Sequence, residues 1–167
     1  MSYNFNDKHK HGSTTNMYGK SCFFIGHREI SHDISHLLDT EIERHISEYG
    51  VIDFTIGNYG AFDRAAASAV IKAKQRHPHI ILNLLIAYHP SERKCVLPVG
   101  FDFLFYPPDL EKVPRRFAIV QANKYMVDHV DYLISYAWHP ASNARNLTEY
   151  ATLREQRGLI KITSLCK

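Results

Sequence analysis

A strand that runs directly into a polar loop and then a helix constrains this chain more than any other sequence feature. Residues 22–28 read CFFIGHR, so four residues with strand character lead into Gly26, His27 and Arg28. Strand, short loop and helix form the first unit of a nucleotide-binding α/β sheet. Gly26 would let the backbone approach a ligand closely, and Arg28 could hold a phosphate or carboxylate with two hydrogen bonds. The alternative is an ordinary strand end with Arg28 in solvent, and these residues alone leave both readings open.

Length and composition indicate one globular domain. The 167 residues, of which 45% are hydrophobic and 22% charged, are enough to bury a full core. A net charge of +3 and the lack of any Lys/Arg run argue against nucleic-acid binding. Three cysteines without metal or disulfide spacing favour a reduced, cytoplasmic setting. We expect a flexible extension over residues 1–20, one domain over residues 21–167, and no membrane association.

The rest of the chain alternates between strand and helix patterns. Strands are predicted over residues 21–26, 51–56, 79–88, 131–138 and 159–163, with a further short strand over 101–106. Helices are predicted from an N-cap at Ser31 to Gly50, over small residues from 65 onward, from Pro114 to His129, and from beyond Asn146 to Gln156. This order predicts an α/β fold of three layers, a mostly parallel sheet with helices on both faces.

A second glycine-bearing loop follows the second strand. It spans residues 57–64 and contains Gly57, Tyr59, Gly60 and Asp63. Because the carboxyl ends of parallel strands meet at one edge, this loop and the first could form a phosphate-sized crevice. The loop lacks the full dinucleotide-binding glycine pattern, however, and Asp63 is equally well explained as a helix N-cap.

A third polar loop, over residues 139–146, precedes the last helix, whose N-terminus would favour an anion. Arg145 could bind that anion, or it could pair in solvent with Glu149, which contributes only roughly 0.3–0.5 kcal/mol. Trp138, the single tryptophan, could stack on a base or belong to the core at a strand end. Tyr59 has the same two readings.

Two other predicted site residues also have a simpler explanation. Arg116 could face a ligand or cap a helix, and His27 could carry a proton or only donate a hydrogen bond. The chain contains no zinc-type spacing, nucleophile elbow or Walker A motif. No metal and no cofactor are therefore predicted.

Five short motifs occur in one order along the chain: FIGHR at 24–28, GNYGAFD at 57–63, EKVPRRFA at 111–118, NKYMVD at 123–128 and DYLI at 131–134. Together they resemble the SLOG superfamily, a Rossmann-like group that includes the LOG and DprA proteins. The closest branch is that of the small YpsA-like bacterial and phage proteins, over about residues 21–163. The resemblance implies a Rossmann-like fold, a nucleotide-like ligand at the carboxyl edge of the sheet, and a homodimer or higher homo-oligomer.

LOG enzymes in that superfamily hydrolyse a nucleoside monophosphate to base and ribose phosphate. Their signature is an Arg before a Met-bearing helix and a later Pro-Gly-Gly-x-Gly-Thr-x-x-Glu. With Glu149 as the signature Glu, the Arg falls on Ala122. The glycines and the threonine fall on Ser142, Asn143, Arg145 and Asn146. The resemblance therefore implies ligand binding in a protein that retains Glu149 but lacks the catalytic Arg and the glycines of the LOG signature.

We accordingly expect a protein that senses or sequesters a nucleotide-derived small molecule, such as an ADP-ribose-like or cyclic-nucleotide signal, with phage–host defence as one setting. The alternative is a LOG-like phosphoribohydrolase that cleaves an N-glycosidic bond with Glu149. A DprA-like role on nucleic acid is disfavoured by the mild charge. The expected ligand site comprises Gly26, His27, Arg28, Gly57, Tyr59, Gly60, Asp63, Arg116, Trp138, Ser142, Asn143, Arg145, Asn146 and Glu149.

Overall fold

The computed structural model describes residues 19–166. Within that range the strands are β1 (Lys20–Gly26), β2 (Val51–Ile56), β3 (Ile81–Leu85), β4 (Phe103–Phe105), β5 (Tyr132–Tyr136) and β6 (Lys161–Ser164). The helices are α1 (Ser35–Ser47), α2 (Ala61–Arg76), α3 (Ala118–His129) and α4 (Asn143–Glu155), with short 3₁₀ turns at Leu110–Lys112 and Arg115–Phe117. The extension predicted over residues 1–20 lies outside the described residues, apart from Gly19 and Lys20.

All neighbouring strands pair in parallel, in the order β4-β3-β2-β1-β5-β6. The chain therefore builds outward from β1 to β4 and then returns to place β5 and β6 on the other side of β1. Helices cover both faces, so the predicted three-layer, Rossmann-like α/β fold is confirmed. We call the two ends of the strands the amino edge and the carboxyl edge. Every helix begins near the carboxyl edge.

The two faces of the sheet bury separate cores. On one face, side chains such as Phe24 and Phe54 pack beneath α1 and α2. On the other face, Phe23 and Leu133 pack beneath α3 and α4. Successive β1 side chains point to opposite faces, and both faces are covered, which explains the unbroken apolar run of this strand.

Several predicted element boundaries are wrong. α1 begins at Ser35, and the predicted N-cap, Ser31, instead places its hydroxyl 2.8 Å from the Tyr136 hydroxyl. The N-cap is Ile34, which makes no side-chain capping hydrogen bond, and the Asp33 carboxylate before it accepts the Ser35 backbone N–H at 2.9 Å.

Two other helices begin earlier than predicted. α2 begins at Ala61 with Gly60 as its N-cap, so Asp63 lies in the first turn and is not the N-cap. α4 begins at Asn143 with Ser142 as its N-cap, so its first-turn residues are helical and not part of a loop. The early starts bring helix N-termini closer to the strand ends than the sequence pattern indicated.

Candidate functional site

The order of the strands reverses between β1 and β5, where their connections lead to opposite sides of the sheet. Gly26 at the end of β1 is in register with Tyr136 at the end of β5. Ligands of open α/β sheets bind outside the carboxyl ends of the strands at such a switch point. We call the region outside the ends of these two strands, where His27, Trp138 and His139 lie, the β1–β5 crevice.

His27 links the loops after β1 and β5 through hydrogen bonds. Its Nε2 accepts the backbone N–H of His139 at 2.9 Å, and its own backbone N–H donates to the Tyr136 carbonyl at 3.2 Å. Because a backbone N–H can only donate, His27 Nε2 carries no proton in this arrangement. Burial, and then the nearby His139, lower the pKa of His27, which favours the same neutral state. The imidazole is thus an acceptor that holds a loop, a role absent from both predicted readings.

Trp138 stands beside this imidazole with part of its ring open to solvent. The centroids of the Trp138 and His27 rings are 5.1 Å apart in an edge-on arrangement. The tryptophan is 49% exposed, so it does not belong to the core. An indole held on one side and open on the other can stack on a planar ring.

Tyr136 joins three elements behind the crevice, and the sequence reading missed it. Its buried ring stacks on Phe62 of α2, with centroids 5.8 Å apart, and its hydroxyl meets Ser31. The signal that could have revealed it is its position at the end of a core strand, in register with Gly26.

At two of the predicted glycines, an added Cβ would overlap neighbouring protein atoms. A Cβ on Gly26 would lie 2.3 Å from the Phe62 ring, and one on Gly60 would lie 2.5 Å from the Arg28 Cα. The Ala61 N–H also donates to the Arg28 carbonyl at 2.8 Å. The loops after β1 and β2 are therefore packed against each other.

Asp63 closes the loop after β2. Its carboxylate accepts the Tyr59 backbone N–H at 2.9 Å, and burial raises the pKa of Asp63. With Gly57, it lines an open groove of about 300 Å³ between α2 and the segment near Phe101. This groove lies on the α2 side of the sheet edge, apart from the residues of the β1–β5 crevice.

The first turn of α4 contains three predicted site residues, Asn143, Arg145 and Asn146, and follows the N-cap Ser142. The Ser142 hydroxyl accepts the Arg145 N–H at 3.1 Å, and the Ser142 carbonyl accepts the Asn146 N–H at 3.0 Å. The N–H groups of Asn143 and Ala144 keep no protein partner within residues 19–166 and can face an anion.

Arg145 and Glu149 form the ion pair that their spacing allowed. Arg145 Nε lies 3.0 Å from a Glu149 oxygen, and their side chains are 47% and 63% exposed. The arginine is thus near the α4 N-terminus but partly neutralised. Arg116 lies farther along the edge, in the turn before α3, with its guanidinium 4.7 Å from the Phe117 ring centroid.

Most arginines at the two edges differ in their partners; the exceptions in the described chain are Arg145, paired at the carboxyl edge, and Arg157, which forms no ion pair at the amino edge. Those at the helix C-termini on the amino edge are paired with carboxylates: Arg44, Arg76 and Arg154. Others, from segments at the carboxyl edge, form no ion pair within the described chain: Arg28, Arg64, Arg93, Arg115 and Arg116. Glu29, Glu92 and Glu111 lie at this edge too, without pairing with them. Open guanidinium groups here suit an anionic ligand.

Residues 19–166 contain no group of three or more His, Cys, Asp or Glu side chains arranged to hold a metal ion. No helix in the same range is both long and apolar enough to cross a bilayer. The chain matches no protein-family model, and a search of curated proteins finds no match. The geometry of the carboxyl edge therefore carries the functional argument.

Proposed function

We propose that this protein binds a nucleotide-derived, phosphate-bearing small molecule in the β1–β5 crevice, as a sensor or sequestering protein. The observation that carries the proposal is the half-exposed Trp138 at the switch point, held against His27 beside the α4 N-terminus. An aromatic platform and a helix N-terminus are the two parts that a nucleotide needs, one for its base and one for its phosphate.

The phosphate would contact the Asn143 and Ala144 N–H groups, with Arg145 and Arg28 contributing positive charge from either side of the crevice. Asn143 and Asn146 offer side-chain amides to ribose hydroxyls or a base edge. ADP-ribose-like and cyclic-nucleotide signals satisfy this chemistry. Membership of the SLOG superfamily, homo-oligomerisation and a cytoplasmic role in phage–host defence belong to the same proposal.

Binding is favoured over LOG-like hydrolysis by two observations. Ala122, where those enzymes carry an arginine, is 1% exposed and packs in the core beneath α3, so it brings no cation to the ligand. Glu149 is exposed and engaged by Arg145, whereas a general acid or base must reach the reacting atom.

The first test is to denature natively purified protein and identify any released small molecule by mass spectrometry. The second uses the single tryptophan as a reporter: AMP, ADP-ribose and 3′,5′-cyclic AMP are titrated while Trp138 fluorescence is recorded. We expect saturable quenching and a raised melting temperature with at least one of them.

Arg145→Ala should weaken that binding by about tenfold, the loss of one charge-assisted contact. The matched control is Arg157→Ala, because Arg157 is exposed and lies at the other edge, beyond α4. The proposal is wrong if no nucleotide is recovered from the purified protein, and none of the three ligands quenches the fluorescence or shifts the melting temperature. Release of adenine from AMP, measured by chromatography, would instead restore the hydrolase.

A further inference from the structure

A second group of side chains lies along the carboxyl edge, outside the β1–β5 crevice. Tyr88 follows the end of β3, and two arginine guanidinium groups approach its ring. The Arg115 guanidinium carbon lies 4.9 Å from the ring centroid, and that of Arg93 lies 5.9 Å from it. We call Tyr88, Arg93 and Arg115 the Tyr88 cluster.

The two arginines come from different segments. Arg93 belongs to the turn after β3, whose residue His89 accepts the Arg93 backbone N–H at 3.0 Å. Arg115 belongs to the 3₁₀ turn before α3. Two long side chains from separate segments thus converge on one partly buried ring. Their approach depends on the tertiary fold and not on closeness in sequence.

Within the described chain, neither arginine of the cluster forms an ion pair with a carboxylate. Cation–π contacts hold each guanidinium near the ring, but like charges brought to one ring repel each other. Tyr59, in the loop after β2, packs against the same core as Tyr88, and burial raises the pKa of Tyr59. The two guanidiniums at the Tyr88 ring form a donor set for a phosphate.

The distance between the Tyr88 cluster and the β1–β5 crevice follows from the order of the strands. β3 is separated from the middle of the β1–β5 gap by two and a half strand spacings, or about 12 Å. The loop after β2, with Tyr59 in it, lies between the two places. A ligand that contacts both places must therefore extend past this loop over about 12 Å.

We propose that the ligand has two phosphate-bearing halves, the first in the β1–β5 crevice and the second at the Tyr88 cluster. This inference rests on the proposed function and narrows its ligand to the class of short linear oligonucleotides and related molecules with separated phosphates. A mononucleotide would fill only the crevice.

The test compares 5′-phosphorylated adenylates of one, two and three nucleotides, each titrated by Trp138 fluorescence at several salt concentrations. We expect affinity to rise by about tenfold once the adenylate is long enough to reach the Tyr88 cluster. In the variant Arg93→Ala/Arg115→Ala that gain should disappear, while AMP affinity stays within about twofold. The salt dependence of the longer ligand should also fall, because fewer phosphates are neutralised.

Arg157→Ala is the control for removing an exposed arginine. If AMP binds and length adds no affinity, the two-part site is wrong and the proposed function stands. If the gain is present but survives in the double variant, the second half is held elsewhere and the inference is again overturned. If no adenylate binds, with ADP-ribose and cyclic AMP also inert, the proposed function fails, and this inference fails with it.

Discussion

The amino and carboxyl edges of the same sheet differ in how their charged side chains are paired. At the amino edge, Asp131 accepts the backbone N–H of Ser21 at 2.9 Å, and Asp128 lies 3.2 Å from the Arg154 guanidinium. At the carboxyl edge, arginines such as Arg28 and Arg115 reach no carboxylate within the described residues. Most arginines are thus paired with carboxylates at the amino edge and left without them at the carboxyl edge, where Arg145, paired with Glu149, is an exception.

The largest expected effect concerns a glycine at each edge. Gly26→Ala should lower the free energy of unfolding by ~2–3 kcal/mol, because the added Cβ would overlap the Phe62 ring. Gly50→Ala, at the amino edge, meets nothing within 4 Å and should cost only ~1 kcal/mol for its positive φ of 70°. Urea unfolding of both variants measures the difference. Equal losses would show that Gly26 is not held by packing against Phe62.

The next effect tests the ion pairs directly. Asp128→Ala removes the acceptor of the Tyr150 hydroxyl at 2.6 Å and of the Arg154 guanidinium, so it should cost ~2 kcal/mol. Arg28→Ala, at the carboxyl edge, removes an exposed and unpaired side chain and should change stability by no more than ~0.5 kcal/mol. The same urea experiment gives both numbers. A large loss in Arg28→Ala would erase the contrast between the edges.

Between the edges lies one carboxylate that neither pattern explains. Asp53 sits in the middle of β2 with its oxygen 2.7 Å from the Asn83 amide, and burial raises its pKa to about 6. A raised folded-state pKa means that stability is highest when Asp53 is protonated, below its unfolded pKa near 4, and falls as the pH rises through about 6.

Asp53→Asn should therefore stabilise the protein by ~1–2 kcal/mol at pH 7.5 and by almost nothing at pH 4. Asparagine keeps an oxygen that can accept from Asn83, so the hydrogen bond is retained. Urea unfolding at the two pH values checks the sign, with the exposed Asp109→Asn as control. A variant that is less stable than the parent at pH 7.5 would mean that the ionised Asp53 is favoured in the fold.

The sequence predicted the layers well because they depend on periodicity. Alternation along β1 and the apolar spacing of the helices determine which face each residue covers, whatever the details of the loops. The helix starts were missed at α2 and α4, because their N-caps, Gly60 and Ser142, precede the periodic stretch. In each case the N-cap residue lies close to a strand end, where the sequence pattern alone favoured a loop.

The candidate site was predictable only where it follows a strand end directly. His27 comes directly after β1 and Trp138 comes two residues after β5, so parallel pairing was enough to bring them together. Tyr88 and Arg115 lie in different segments and meet only because β4 docks on β3 and the chain turns before α3. No local pattern reveals a contact that depends on an irregular connection.

The smallest expected effect is a pH dependence at the crevice. Since burial lowers the pKa of His27, the neutral imidazole that accepts from His139 is favoured above the unfolded pKa of about 6.5, and its contribution to stability is lost as the pH falls through the lower folded value. His27→Gln can keep an acceptor oxygen and removes the titration. We expect the fluorescence of the adjacent Trp138 to change between pH 7.5 and pH 5 in the parent and to change less in this variant. His32→Gln, across Tyr136, should retain the parent's response, and loss of the response in this variant would contradict the role given to His27.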